Sequence, residues 1–379
     1  MTMLFWCSSF LLVYAFAGFP LLLEAQVRLT RRRGRAPVQA ADNVRMPTVS
    51  VLLAVHNEEA VIERKIRNFL QLEYPEDRIC LYVVSDGCTD ATETLTERCG
   101  SPRVRLLRQA ERGGKTRALN RAAVEADGDI FVFTDANAMF RPDCIRRLVE
   151  RLADPSIGLV SGVSVYVDAA GSPSPGGVYR RYEEWIKARE SDLFSIVGAD
   201  GAAYAMRREF YVPLEPEYIN DLLHPMQVLM LGGRAVSEPR AVVEEEADDA
   251  DAFVEMRRQT RIMAQSWLIC LRMLPVLVRE GHWGFAWQVL SHKVLRWATL
   301  PLLAVCAASS LFLASRGGAY ALAALAMGGA GLAALAGALG RGGLARTAWL
   351  FVVLHLAAVN GLIRLLRGHV FVTWTPRGS

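Results

Sequence analysis

The stretch DIFVFTDANAMF, from Asp129 to Phe140, decides the fold class of this chain. Ile130 to Thr134 form a short apolar run, which is typical of a strand buried on both faces of a parallel sheet. Asp135 and Asn137 follow at the point where this strand should end. Because ligands bind at the carboxyl ends of strands in open sheets of this kind, we expect these two polar side chains to serve a binding site.

The residues around this stretch, from about 47 to 250, alternate short β-branched runs with helical segments. TVSVLLAV at 48–55 and ICLYVVSD at 79–86 have the composition of strands. The segment between them, 59–74, places its apolar residues at helical spacing. This alternation predicts an α/β domain with a mostly parallel sheet.

Three further polar clusters follow predicted strands or begin predicted helices. Asp86 lies in SDGCTDAT, where it is either a ligand-binding residue or part of a plain capped turn. Gly113-Gly114-Lys115 offers an accessible backbone and a cation that suit a phosphate, although the spacing of a P-loop is absent. Asp221, in YINDLLHP, is either a general base or an N-cap of the next helix.

Asp135 and Asn137 place two oxygen-bearing side chains on one face of an extended chain, because residues i and i+2 share a face. Hard divalent cations take such oxygen ligands, and Mg²⁺ commonly bridges one or two carboxylates to substrate phosphates. Turns also use Asp and Asn freely, so a purely structural role stays open.

Two regions have the composition of membrane segments. The run from Met3 to Ala25 carries one charge, Glu24, and is long enough to cross a bilayer at roughly 1.5 Å per residue. No basic residue precedes the run, so we expect a retained anchor rather than a cleaved signal peptide. Basic residues follow it, which predicts that the next segment is cytoplasmic. They are Arg28, Arg31, Arg32, Arg33 and Arg35.

The second membrane-like region extends from about Val294 to Leu366 and has glycine- and arginine-containing breaks. The breaks predict three helices, at about 294–315, 319–340 and 345–365. Three crossings from the cytoplasm would leave Arg364, Arg367 and Arg377 outside, which conflicts with the positive-inside rule. The number of crossings therefore stays open.

Composition excludes some functions. The net charge of +4 is small for 379 residues and gives no reason to expect a nucleic-acid partner. The seven cysteines include no CxxC pair and no zinc-type spacing.

The segment 261–293 mixes aromatic, apolar and basic residues, as interfacial helices that contact membrane lipid do, although ordinary core helices have similar patterns. On the interfacial interpretation, His292, Lys293 and Arg296 would meet lipid phosphates or an anionic lipid-linked acceptor.

Taken in order, the polar clusters resemble the family 2 glycosyltransferases over residues 47 to 270. The resemblance is carried by VLLAVHNEE, SDGCTDAT, GGKTRALN, TDANAMF, VGADGAAYAMRRE and YINDLLHP. GADGAAYAMRRE through SHKVLRW is similar to bacterial membrane-associated members with a C-terminal helical region. The resemblance implies a GT-A fold, which is a Rossmann-like nucleotide-diphospho-sugar transferase domain, and inverting transfer from a nucleotide-activated sugar.

The resemblance also implies a role for each matching residue. Asp86 would contact the nucleobase, and Lys115 and Asn120 would line the nucleotide side. Asp135 would contact the ribose and, with Asn137, help hold Mg²⁺ or Mn²⁺ on the diphosphate. The remaining residues would act on the acceptor, Asp221 as the base for its hydroxyl and five others along the acceptor side. These five are Asp200, Gly201, Arg258, Gln259 and Arg261.

Two departures from the family pattern matter. The metal motif is Asp-Ala-Asn instead of Asp-x-Asp, which removes one charge from the predicted metal site. Processive members carry a QxxRW-type motif, whereas here Ile262 stands where the tryptophan would follow Arg261. This difference favours transfer of one or a few sugars over polymerisation.

The sequence therefore predicts four regions: an anchor and basic linker (1–46), a GT-A domain (47–260), interfacial helices (261–293), and C-terminal transmembrane helices with a tail (294–379). We expect a multi-pass enzyme of the inner membrane with a cytoplasmic catalytic domain. It would transfer a sugar from a nucleotide-sugar donor, expected to be a UDP-sugar, to a lipid-linked or glycan acceptor in polysaccharide biosynthesis of the cell envelope.

Three alternatives stay open. The first is a processive polysaccharide synthase, and the second is a catalytically silent membrane protein that binds nucleotide sugars. The third is a nucleotidyltransferase, which would need a glycine-rich, arginine-containing loop after the first strand. HNEEAV is acidic at that position and would repel a triphosphate.

Overall fold

The computed structural model describes residues 1–31, 46–167, 177–246 and 252–374. Arg32, Arg33, Arg35 and Arg377, which entered the topology argument, lie outside these residues. The chain divides into two compact units. We call Leu23–Asp249 with Val372–Ser379 the sheet unit, and Met1–Leu22 with Ala250–Phe371 the helical unit.

The described part of the sheet unit contains one sheet of eight strands in the order β3-β2-β1-β4-β7-β6-β8-β5. The strands are β1 (Val49–Val55), β2 (Ile79–Asp86), β3 (Val104–Gln109), β4 (Ile130–Thr134), β5 (Ala138–Phe140), β6 (Ile157–Val167), β7 (Ala203–Arg207) and β8 (Arg234–Glu246). Strands β3, β2, β1 and β4 are parallel neighbours. Strand β7 is antiparallel to β4 and β6, and β5 is antiparallel to β8, whereas β6 and β8 are parallel. The predicted parallel character therefore holds for the first four strands and for the β6–β8 pair.

Helices cover both faces of this sheet because its central strands are apolar on both sides. The helices are α3 (Ile62–Leu70), α4 (Thr92–Arg98), α5 (Lys115–Glu125), α6 (Cys144–Arg151), α7 (Gly177–Leu193) and α8 (Asn220–Met230). Val51 and Leu53 of β1 belong to the core layer that contains residues of α3 and α6. Leu52 belongs to the opposite layer, with Leu119 of α5. The alternation along β1 thus confirms the predicted α/β architecture.

The strand ends that carry the predicted site meet at one edge of the sheet. Val55 of β1 pairs with Ser85 of β2, and Leu53 pairs with Thr134 of β4. Asp86, the last residue of β2, and Asp135, which follows β4 directly, therefore lie at the same edge.

The helical unit contains the N-terminal helix and a series of helices from the last third of the chain. The N-terminal helix comprises α1 (Thr2–Val13), a π-helical turn, and α2 (Phe19–Arg31), whose second half belongs to the sheet unit. The later helices are α9 (Ala252–Arg279), α10 (Trp283–Val289), α11 (Leu295–Trp297), α12 (Thr299–Leu313), α13 (Gly318–Ala338) and α14 (Leu344–Leu366). Within this unit α9 packs closely on α14, where a β-carbon on Gly361 would lie 2.8 Å from the amide nitrogen of Ala264.

Five helices in the described residues are long and apolar enough to cross a membrane, by length and composition. They are Thr2–Thr30, Val254–Arg279, Thr299–Arg316, Gly318–Ala338 and Leu344–Leu366. The predicted N-terminal segment and the three predicted C-terminal segments are confirmed as helices. The structure adds Val254–Arg279, which overlaps the segment expected to be interfacial. The expected lipid-facing role of His292 and Arg296 also differs from the structure, because both side chains are buried and Arg296 lies over the ring of Phe16.

Candidate active site

Asp86 organises the glycine loop that precedes α5. Its fully buried carboxylate accepts hydrogen bonds from the backbone amides of Gly113 at 2.6 Å and Gly114 at 2.9 Å. Gly114 has a φ of +90°, a conformation that L side chains rarely adopt, so glycine is required there. His56 at the end of β1 is bonded through Nδ1 to the Asp86 carbonyl at 2.8 Å. The ends of β1 and β2 and the glycine loop therefore form one hydrogen-bonded unit.

Lys115 connects this unit to the predicted metal motif. It is the first residue of α5, and its Nζ donates to Oδ1 of Asp135 at 2.5 Å. Both side chains are partly exposed, so the pair can open to a ligand. The structure thus brings together Asp86, Lys115 and Asp135 as the sequence predicted, and it adds the ion pair between the last two.

Asp135 and Asn137 are partly exposed and flank the buried Ala136 in a turn between β4 and β5, where the amide of Ala138 donates to the carbonyl of Asp135 at 3.3 Å. The extended chain that the sequence analysis assumed for these residues is therefore replaced by a turn. Nδ2 of Asn137 donates to Oε2 of the buried Glu245 at 3.1 Å, which leaves Oδ1 as the amide's ligand atom. The described residues contain no group of three His, Cys, Asp or Glu side chains suited to a metal. One carboxylate and one amide oxygen nevertheless fit Mg²⁺ or Mn²⁺, since such ions take most of their remaining ligands from water and substrate phosphates.

Lys65 lies directly behind this metal motif. Its fully buried ammonium donates to Oγ1 of Thr134 at 2.9 Å and to the carbonyl of Ala138, and it stands 4.1 Å from the ring centre of Phe140. Burial lowers the pKa of Lys65 to about 7, while the carboxylates of Asp135 and Glu245 oppose this shift. The sequence interpretation missed this residue, although a lysine in the apolar stripe of α3 was a visible signal.

Asp221 lies near the start of α8, against the predicted acceptor-side loop. Its backbone carbonyl accepts from the amide of Ala199 at 2.8 Å, and a β-carbon on Gly201 would lie 3.1 Å from its Oδ2. The Asp200 carboxylate accepts from the amide and hydroxyl of Ser164 and from the amide of Ala202. Gly201 thus leaves space for the Asp221 carboxylate, and the Asp200 carboxylate is bonded to Ser164 and to its own loop.

A buried polar cluster supports the helix that carries Asp221. Nδ2 of Asn220 donates to the hydroxyl of Tyr204 at 2.6 Å, and that hydroxyl lies 2.8 Å from Nδ1 of His224. Burial lowers the pKa of His224 to about 3 and raises the pKa of Tyr204. His224 is therefore neutral at physiological pH and serves as a hydrogen-bond acceptor for Tyr204.

Helix α5 links the donor side to the Asp221 side. Oγ1 of Thr116 donates to the carbonyl of Tyr218 at 2.6 Å, three residues before Asp221. The amide of Asn120 accepts from the hydroxyl of Tyr211 and both donates to and accepts from the backbone of Leu214. Asn120 is thus bonded to the chain that leads into α8, whereas the sequence predicted that it lines the nucleotide side.

The order of these elements agrees with one protein family. Residues 50–211 match the family described as glycosyl transferase family 2. The sheet unit therefore contains a domain that matches this family.

The glycosyltransferase is similar to several named members. It is 31% identical over 163 residues to the beta-monoglucosyldiacylglycerol synthase of Synechocystis sp., a match that covers 41% of this chain and 34% of the relative. It is 32% identical over 131 residues to the probable glycosyltransferase YdaM of Bacillus subtilis, covering 33% of this chain and 31% of the relative. The chain thus spans about a third of the length of these two relatives.

A solved structure shares the fold of this glycosyltransferase over almost its whole length. The mannosyltransferase PcManGT of Pyrobaculum calidifontis, solved in complex with GDP-Man and Mn²⁺, superposes with a TM-score of 0.71. The sequence identity is 25%, and the match covers 95% of this chain and 98% of the other. The fold is therefore a GT-A glycosyltransferase fold with additional helices that could span a membrane.

Three predicted acceptor-side residues of the glycosyltransferase lie on α9, in the helical unit. Arg258 and Gln259 are both bonded to Glu255, and Arg261 donates to Oε1 of Gln265 at 3.2 Å. Their role at an acceptor stays a prediction.

Proposed function

We propose that this chain is a membrane-bound inverting glycosyltransferase that transfers a sugar from a nucleoside-diphosphate donor to a membrane-associated or lipid-linked acceptor. The observation that carries the proposal is the continuous set of contacts from Asp86 through the glycine loop and Lys115 to Asp135. It combines groups suited to a nucleotide, a diphosphate and a divalent cation at one edge of the sheet.

The donor would lie along this edge with its diphosphate at Lys115 and Asp135. Lys115 leaves its ion pair with Asp135 and stabilises the negative charge that develops on the leaving nucleoside diphosphate. Asp135 and Asn137 would hold Mg²⁺ or Mn²⁺, which would supply further stabilisation of that charge. The neighbour solved with GDP-Man and Mn²⁺ supports this type of donor and cation, and a UDP-sugar stays our expected donor.

Asp221 would accept the proton of the acceptor hydroxyl. The acceptor oxygen forms a bond to the anomeric carbon of the sugar, and the bond from that carbon to the diphosphate oxygen breaks, so the configuration inverts. Gly201 permits close approach to Asp221, because a side chain at this position would meet Oδ2. The base thus stands where the loop leaves room for an acceptor.

A lipid acceptor is favoured by two observations. The Synechocystis relative is named as a synthase of beta-monoglucosyldiacylglycerol, and five helices in the described part of this chain could span a membrane. We therefore propose an enzyme of the inner membrane with a cytoplasmic catalytic domain that contributes to cell-envelope glycans. Product length distinguishes it from a processive synthase, which would release polymers.

The test uses full-length protein purified in detergent. A thermal-shift panel of UDP- and GDP-sugars with Mg²⁺ or Mn²⁺ identifies the donor, and radiolabelled transfer to diacylglycerol, polyprenyl phosphate or an extracted lipid fraction identifies the acceptor. Asp221→Asn should lower transfer by about 10²–10⁴-fold, the usual contribution of a general base, and leave donor binding unchanged. Full activity in this variant would remove Asp221 as the base, and nucleotide binding without transfer by the wild type would favour a silent binding protein.

A further inference from the structure

The segment Val372–Trp374, which follows the last helix in sequence, belongs to the sheet unit and lies on the glycine loop. The carbonyl oxygen of Val372 approaches Gly114 so closely that a β-carbon there would overlap it. The guanidinium of Arg112 donates a hydrogen bond to the carbonyl of Trp374. The segment is therefore attached through its backbone to the loop that Asp86 holds.

The indole of Trp374 lies at the ends of β1 and β2. Its ring centre is 6.1 Å from that of His56, with the two planes at 70°, and its half-buried side chain packs on the core layer that includes Val84. His56 is in turn bonded to the carbonyl of Asp86. A large aromatic face thus stands beside His56, which is bonded to Asp86, the residue that the resemblance to family 2 glycosyltransferases assigns to the nucleobase.

We propose that Trp374 forms the outer wall of the nucleobase pocket and stacks on the base of the donor. This inference rests on the proposed function, since it needs a nucleotide at Asp86. Base–aromatic stacking tolerates every base, because each has a π-face, so Trp374 would supply affinity while other groups select the nucleotide.

The contacts favour a segment that lines the nucleobase pocket over one that blocks the donor site. The backbone of the segment contacts Arg112 and Gly114, whereas Lys115 is bonded to Asp135. The groups assigned to the diphosphate thus have partners of their own while the segment is docked. A segment that lines the pocket contributes to nucleotide binding, whereas a segment that blocks the donor site would compete with the nucleotide.

The experiment compares three variants of the full-length protein. Trp374→Ala removes the ring, Trp374→Phe keeps a smaller aromatic face, and Thr373→Ala is the matched control, because Thr373 is the exposed neighbour in the same segment. Isothermal titration with UDP, GDP and inorganic pyrophosphate, each with Mn²⁺, separates base binding from diphosphate binding.

We expect Trp374→Ala to weaken UDP and GDP binding by about tenfold or more, in line with the loss of one stacked base. Trp374→Phe should restore most of the affinity, Thr373→Ala should leave it unchanged, and pyrophosphate should bind all variants equally. Equal or tighter nucleoside-diphosphate binding by Trp374→Ala would overturn the inference, and an equal loss of pyrophosphate binding would do the same.

Docking of the segment is checked without any nucleotide. A benzoylphenylalanine placed at position 374 should cross-link to the peptides that contain His56 or Arg112, and cross-links to other peptides alone would contradict the inference. A wild-type protein that binds no nucleoside diphosphate would instead count against the proposed function. The two failures are therefore distinguishable.

Discussion

At the scale of single residues, Asn137 is where this chain departs from the Asp-x-Asp pattern. Its amide donates to the buried carboxylate of Glu245 at 3.1 Å, a bond that an aspartate could not make. The amide thus takes the place of a second carboxylate at the predicted metal site, and its N–H group donates a hydrogen bond to Glu245. Strand β8, which carries Glu245, is the reason that an amide is accommodated here.

Asn137→Asp should make the protein depend on a divalent cation for stability. Two carboxylates about 4 Å apart repel each other by about 1–4 kcal/mol at effective dielectric constants of about 80 to 20, and a bound Mn²⁺ relieves this repulsion. We expect a lower melting temperature without metal and a larger Mn²⁺-induced rise than in the wild type. Differential scanning fluorimetry with EDTA or Mn²⁺ measures both.

The control for this prediction is Asn137→Asp combined with Glu245→Gln. The added amide restores a donor between the two side chains, so the melting temperature without metal should recover. A single variant whose Mn²⁺ response equals that of the wild type would contradict the assignment of residue 137 to the metal side.

How far the site could be predicted from the sequence depends on the distance along the chain over which its contacts form. Asp86 and Asp135 follow strands whose periodicity is local, so their place at the sheet edge was predictable and is confirmed. The bond from Asp86 to Gly113 spans 27 residues, and that from Asn137 to Glu245 spans 108. Such pairings depend on the strand order, which no local pattern specifies.

At the scale of elements, the loop before β7 and helix α8 position the base together. Gly201 faces Asp221, and Asp200 fixes the loop through Ser164. Both segments were identified from the sequence by resemblance. The resemblance could not show that the loop needs glycine at position 201 because the Asp221 carboxylate lies against it.

Gly201→Ala should slow transfer and spare donor binding. The added β-carbon would stand 3.1 Å from Oδ2 of Asp221, which is tight enough to displace the carboxylate by a few tenths of an ångström. Since small misplacements of catalytic groups cost up to about 10²-fold, we expect kcat to fall about tenfold with an unchanged donor Kd. Gly284→Ala, where an added β-carbon has no neighbour within 4 Å, is the matched control. Unchanged kcat in Gly201→Ala would show that Asp221 tolerates displacement.

The polar cluster under α8 should make stability depend on pH. Burial lowers the pKa of His224 to about 3, whereas the unfolded chain titrates near the ordinary value of about 6.5. Between these values the unfolded state binds a proton that the folded state does not. The free energy of unfolding therefore falls as pH drops from about 6.5 towards 3, by up to about 1.4 kcal/mol per pH unit from this group.

His224→Gln isolates this contribution, because glutamine can accept a hydrogen bond from Tyr204 but does not titrate. Urea denaturation at pH 7 and pH 5 should show a smaller loss of stability in the variant than in the wild type. Equal pH dependence in the two proteins would mean that His224 is protonated in the folded state.

At the scale of the whole molecule, the contact of Val372 with Gly114 constrains the membrane topology. Both residues belong to the sheet unit, so they must lie on one side of a bilayer. We therefore predict that the chain between Asp249 and Val372 crosses the membrane an even number of times. The three predicted C-terminal crossings would place the tail on the opposite side, and they also conflict with the positive-inside rule for Arg364 and Arg367.

Val254–Arg279 provides the fourth candidate, which would make the number even and would return the basic end of α14 to the side of the sheet unit. A reporter fused after Ser379 should then share the side of an epitope inserted in the exposed turn at Gly100, and an epitope between Glu280 and His282 should lie on the other side. Protease protection in inverted and right-side-out vesicles measures all three. If the epitope at 280–282 and the tail both lie on the same side as Gly100, α9 is interfacial. The later helices then cross the membrane an even number of times. A tail on the opposite side would contradict both the topology and the docking of Trp374, because a segment across the bilayer cannot reach the glycine loop.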